Sequence, residues 1–159
     1  MLEALGRAEV DFVVIGGVAG GAYGSVYPTY DLDIAYARDR PNLERLATAL
    51  RDLGATLRGA PPDLPFVLDA KTLENGANFT LTTRYGGFDI MAEPSGAPPY
   101  AQLKAAASIE EARGFRIFVA SLDHLIAMKE AAGRTKDKLM ATEYRALSDE
   151  IRAPKPEAG

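Results

Sequence analysis

Asp31 and Asp33 stand two residues apart in Tyr30-Asp31-Leu32-Asp33-Ile34-Ala35-Tyr36. The segment alternates in the manner of a strand, and in a strand residues two apart share a face. Both carboxylates therefore point one way while Leu32 and Ile34 point the other, into apolar packing. Two adjacent carboxylates repel unless a cation lies between them. Hard oxygen donors of this kind suit Mg²⁺ or Mn²⁺. The plain alternative is a solvated strand face that happens to carry two acids.

A third carboxylate occurs further on. Asp89 lies between Phe88 and Ile90 in the apolar segment Phe88-Asp89-Ile90-Met91-Ala92. A charge there is costly unless it is paired or used. Ahead of the pair, the apolar run Val10 to Ile15 ends in Gly16-Gly17. Five glycines and two alanines between Gly16 and Ser25 permit a short helix whose backbone can approach another group closely. Its first N–H groups are free to bind an anion.

Composition narrows the chemistry. The 159 residues contain no Cys and one His, His124. Disulfides, thiolate zinc sites, Cys nucleophiles and His-rich metal sites are excluded, so any metal must be held mainly by carboxylates. Ser121 is placed to cap a helix, and His124 reads as a capping or packing residue. The net charge of −4 argues against a broad nucleic-acid footprint but not against a local basic patch. No apolar run is long enough to span a membrane, and the first residues lack the basic-then-apolar order of a signal peptide. A cytoplasmic location is expected.

The elements that must position these residues follow in chain order. A short helix over Leu2 and Leu5 precedes the strand at Val10–Ile15. The small-residue helix comes next, then the loop Val26–Thr29 and the Asp31/Asp33 strand. Pro41 to Gly54 reads as a helix with Leu43, Leu46, Leu50 and Leu53 on one stripe. Ala55 to Leu64 reads as a loop and Phe66-Val67-Leu68 as a short strand. Asn78–Thr83 and Phe88–Ala92 form a hairpin about Tyr85-Gly86-Gly87. After a Pro/Gly loop containing Ser95, a helix covers Tyr100–Ala107 and a strand Phe115–Ala120. Two helices follow: Leu122–Ala132, ended by Gly133, and Thr135–Ile151, with Leu139, Tyr144 and Leu147 facing inward. We expect one domain over 1–152 and a frayed tail over 153–159.

The order Ile15-Gly16-Gly17, then Asp31-Leu32-Asp33, then Phe88-Asp89-Ile90 resembles the nucleotidyltransferase superfamily with the DNA polymerase β-like palm. Leu125-Ile126 to Asp137 is also similar to the LIxxKxxAxRxKD segment of small prokaryotic members akin to AbiEii-type toxins of toxin–antitoxin pairs. The resemblance implies an α+β fold, a mixed sheet flanked by helices. It implies Asp31, Asp33 and Asp89 as metal ligands and catalytic groups for Mg²⁺ or Mn²⁺. Gly16 and Gly17 would adjoin the nucleotide, with Lys129, Arg134 and Lys136 neutralising phosphate. The implied reaction moves an NMP from an NTP, ATP among the candidates, to an acceptor: RNA or tRNA, a protein or a small molecule. An antitoxin protein would be a partner of the toxin branch. Relatives often carry an Arg before the paired acids, where this chain has Tyr27-Pro28-Thr29, and a late acid where it has Met140 and Ala141. A catalytically silent nucleotide-binding or regulatory protein on the same fold is the alternative. A haloacid dehalogenase-type phosphatase fits poorly, since its nucleophile directly follows the first apolar strand. Gly16-Gly17-Val18-Ala19-Gly20-Gly21 does not fit the G-x-G-x-x-G of a dinucleotide site.

Overall fold

The computed structural model describes residues 1–154; of the expected tail at 153–159, positions 155–159 lie outside the described residues. Seven strands form one mixed sheet in the order β3-β4-β5-β2-β1-β7-β6. Next to the central strand lies β1 (Phe12–Ile15), fully buried, as the continuous β-branched run requires. β1 pairs antiparallel with β2 (Leu32–Tyr36) and parallel with β7 (Phe115–Val119). β2 in turn pairs parallel with β5 (Gly86–Met91), which forms a hairpin with β4 (Asn78–Thr83). Leu32, Ile34, Phe88 and Ile90 are buried together, whereas Asp33 and Asp89 alternate onto the other face.

The helices cover this sheet. α1 (Leu2–Arg7) leads into β1, and α2 (Gly16–Ala22) follows it directly. α3 (Arg40–Asp52) starts at an Asp39 cap, with Pro41 in its first turn, and buries Leu43, Leu46 and Leu50. α5 (Tyr100–Ala105) packs beside β1. α6 (Leu122–Ala132) starts where Ser121 Oγ accepts from the His124 N–H and stops at Gly133, φ +69. α7 (Thr135–Arg152) packs antiparallel-fashion along α6, its main helical partner. No helix among the described residues is long and apolar enough to cross a membrane.

The structure differs from these expectations in five places. Phe66-Val67-Leu68 forms no strand: Val67 is exposed, and Asp69 soon caps α4 (Ala70–Asn75), so the segment finds no ladder partner. The expected loop after Gly54 contains β3 (Thr56–Leu57), an edge strand against β4. β6 (Ser108–Ala112) has an exposed, Glu-bearing pattern that gives no strand signal; pairing with β7 creates it. Leu139 is 55% exposed, because the buried stripe of α7 runs through Asp137, Met140, Ala141, Tyr144 and Ser148, one residue out of phase with it. The hairpin turn is also shorter than expected. Arg84-Tyr85 makes it, and Gly86 and Gly87 belong to β5.

Candidate active site

The parallel register of β2 and β5 sets Asp33 directly beside Asp89. Neighbouring residues in a parallel pair share a face, so two strands far apart in sequence deliver two carboxylates to one place. Asp31 precedes β2 at its mouth, where Thr29 Oγ1 donates to the Asp31 carbonyl at 3.2 Å. All three line a cleft of about 860 Å³. Gly16, Gly17, Lys129, Arg134 and Lys136 line the same cleft, so the candidate metal-binding, catalytic and nucleotide-binding residues converge there. Ser95 also reaches it, whereas His124 is absent from its walls.

The antiparallel register opposes Ile15 to Asp33, which brings the start of α2 against the carboxylate. Gly16 has φ +67, and a Cβ there would lie 2.3 Å from Asp33 Oδ2. A Cβ at Gly17 would lie 2.7 Å from Thr29 Oγ1. The two glycines thus make room for the acidic strand and its approach loop before any ligand is considered. Gly16→Ala is expected to cost about 1–3 kcal/mol of stability and to turn Asp33 out of position. Thermal unfolding and an activity assay of that variant check this; an unchanged melting temperature contradicts it.

Electrostatics divides the cleft into two walls. Burial pushes the Asp33 carboxyl up to about 6; the charges of Asp89 and Asp31 add to this, and Lys129 opposes it. Burial also raises Asp89, with Arg58 pulling it back down. At the α6–α7 corner of the cleft Asp137 is almost fully buried. It accepts from Lys129 Nζ at 3.1 Å and from Arg134 Nε at 2.6 Å. Burial alone would raise Asp137, but these two donors hold it below the usual carboxylate range. Asp137 therefore fastens α7 to the end of α6 and fixes both cations over the cleft. Lys136 carries no such tie among the described residues and is exposed.

Arg58 is the site residue that sequence reasoning missed. It follows β3, and its backbone N–H donates to the Thr80 carbonyl at 2.9 Å. Its Nη2 donates to the Leu81 carbonyl at 2.8 Å and to Asp89 Oδ1 at 2.9 Å. Its Nη1 lies 3.6 Å from Asp31 Oδ2. A single Arg in a segment with no strand pattern gave no signal; only the edge pairing of β3 aims it at the acids.

The donor set, three carboxylates on one wall, has the chemistry of a site for a hard divalent ion. As placed, no group of three His, Cys, Asp or Glu among the described residues is gathered tightly enough to hold one. The guanidinium of Arg58 lies between Asp31 and Asp89 instead.

No family model matches the sequence, and no curated protein sequence matches it. Solved structures do. The lincosamide antibiotic adenylyltransferase LnuA, solved with lincomycin bound, superposes with a TM-score of 0.60 at 15% identity, over 92% of this chain and 92% of its own. A Thermotoga maritima protein assigned as a nucleotidyltransferase superposes with a TM-score of 0.55 at 14% identity, over 91% of this chain and 90% of its own. At these identities the likeness is one of fold: the chain has the α+β fold of the nucleotidyltransferases, a mixed sheet flanked by helices.

Proposed function

We propose that the protein is a metal-dependent nucleotidyltransferase that moves an NMP from an NTP to a hydroxyl acceptor. The observation that carries this reading is the in-register pair Asp33/Asp89, with Asp31 beside it, facing the cations of the α6–α7 corner across one cleft. Asp31, Asp33 and Asp89 would hold Mg²⁺ or Mn²⁺. Such an ion supplies positive charge at the phosphate oxygens and at the oxygens that attack and leave.

The chain's own groups do the rest. Lys129 and Arg134, held by Asp137, neutralise phosphate charge without having to be ordered first. Lys136 adds a free cation at the rim. Gly16 and Gly17 bring bare backbone to the cleft wall. Asp89 accepts the acceptor's hydroxyl proton. The acceptor oxygen then bonds to the α-phosphorus, the α–β bridging bond breaks, and its electron pair leaves with pyrophosphate. NTP use is consistent with a cytoplasmic site of action.

Among acceptors, a small hydroxyl compound is favoured, because LnuA, similar in fold over 92% of its chain, was solved with lincomycin bound. RNA, tRNA and protein acceptors, and a toxin role with an antitoxin partner, rest on the α6–α7 motif alone. Pyrophosphate release tests the reading. The protein is incubated with Mg²⁺, each NTP in turn, and pools of hydroxylated small molecules, total RNA or protein. Release that depends on both acceptor and metal is expected; none from any pool, with the protein folded, contradicts it.

One observation favours a second reading, a catalytically silent nucleotide-binding or regulatory protein. Arg58 already neutralises the acids that a metal would use. Nucleotide binding without pyrophosphate release would support it.

A further inference from the structure

Arg58 bridges two carboxylates from different parts of the sheet. Asp31 enters from the approach to β2 and Asp89 from the middle of β5. The Nη2 that donates to Asp89 also donates to the Leu81 carbonyl, so the fork is aimed rather than loosely draped. Gly87 makes the arrangement possible. A Cβ there would lie 2.2 Å from Asp31 Oδ1 and 2.4 Å from Arg58 Nη2. Both groups use the space of the missing side chain.

We propose that Arg58 is a built-in counter-ion that occupies the metal position between Asp31 and Asp89 and must be displaced when a divalent ion binds. The inference rests on the metal-dependent reading of the site. Two positive groups cannot share the same pair of carboxylate oxygens at these distances without strong repulsion. Breaking the Arg58–Asp89 hydrogen bond is therefore part of the free energy of metal binding, and the intrinsic affinity of the three carboxylates is partly masked. Displacement leaves the guanidinium beside the cleft with its fork free, suited to a phosphate oxygen. Arg58 is thus a positioning residue for the metal-free state, and nucleotide and metal together complete the site better than metal alone. A cation is retained among the acids when the protein is empty, and the metal site opens when substrate offers the arginine another anion.

Manganese affinity, read by electron paramagnetic resonance of free Mn²⁺ without nucleotide, tests this. Arg58→Gln is expected to bind Mn²⁺ about tenfold more tightly than the unaltered protein. Arg58→Lys, which keeps the charge but cannot bridge two acids, is expected to fall between them. The melting temperature of metal-free Arg58→Gln is expected to drop and to rise more steeply on adding Mn²⁺. Arg58→Lys keeps the comparison available if the Gln variant folds poorly. Equal or weaker Mn²⁺ binding in both variants, with the unaltered protein binding normally, overturns the counter-ion role alone. Failure of all three proteins to bind Mn²⁺ overturns it together with the metal-dependent function.

Discussion

Asp33→Asn is expected to stabilise the metal-free protein while removing its activity. In the fold the Asp33 carboxyl is pushed up to about 6 from an ordinary 3.8, first by burial and then by the charges of Asp89 and Asp31. A carboxyl raised by folding holds its proton more tightly in the folded than in the unfolded chain. Its favourable contribution is therefore complete below about pH 4 and is lost as pH rises through about 6. At roughly 1.4 kcal/mol per pH unit, the gap corresponds to about 3 kcal/mol at pH 8. The Asn variant escapes that loss, so its melting temperature at pH 8 without metal should exceed that of the unaltered protein by roughly 5–10 °C. The advantage should vanish near pH 4. On the proposed function, transfer activity should fall by more than about 100-fold, since a proposed ligand of the divalent ion is gone. Unfolding scans at pH 4 and pH 8, with and without Mn²⁺, read all of this. A variant less stable than the unaltered protein at pH 8 would show that Asp33 is held by favourable contacts rather than strained by its neighbours.

Asp137→Ala is expected to do the opposite and weaken the fold. The carboxylate is almost fully buried, and Lys129 beside it is only 18% exposed. Truncation leaves the lysine half-desolvated with no partner, and breaking one side of a buried pair costs about 3 kcal/mol. Arg134 contributes less, because it is largely exposed. The pH dependence is reversed relative to Asp33. Asp137 lies below the ordinary carboxylate range, so its contribution is present at neutral pH and is lost as pH falls through its folded value. The variant should therefore lie closest to the unaltered protein in acid and furthest from it above pH 5. Lys129 and Arg134 are no longer held over the cleft, so KM for the nucleotide should rise more than kcat falls. Chemical denaturation at pH 4 and pH 7, with steady-state kinetics, checks both parts. Equal stability at pH 7 would deny Asp137 its role as the fastener of α6 to α7.

The parts of the site that repeat a local pattern were legible in the sequence. Asp31-Leu32-Asp33 and Phe88-Asp89-Ile90 alternate cleanly, and alternation alone sends their carboxylates away from the core. Ser121 and Gly133 bracket α6 by ordinary capping chemistry. Tertiary pairing decided the rest. β3 and β6 are edge strands whose sequences carry no period of two, and each exists because β4 or β7 offers a ladder. Arg58 reaches the acids only through that edge pairing, so neither its type nor its spacing announced it. The inward face of α7 turned on one residue of phase. Leu139 is the more hydrophobic choice, yet Asp137 takes the buried position because Lys129 and Arg134 compensate its charge. The glycines show a subtler gap. Gly16 and Gly17 suggest room for a phosphate, whereas their nearest obligations are to Asp33 and Thr29.

Transfer of label from nucleotide to acceptor tests the central claim most directly. The protein is incubated with Mg²⁺, each α-³²P-labelled NTP and a mixture of candidate acceptors, beside Asp31→Ala. The small-molecule, RNA and protein fractions are then counted separately. Label is expected in one fraction, from a preferred NTP, and is expected to disappear in Asp31→Ala and on chelation of the metal. Label that persists in Asp31→Ala, or none in any fraction from folded protein that binds NTP, would contradict it.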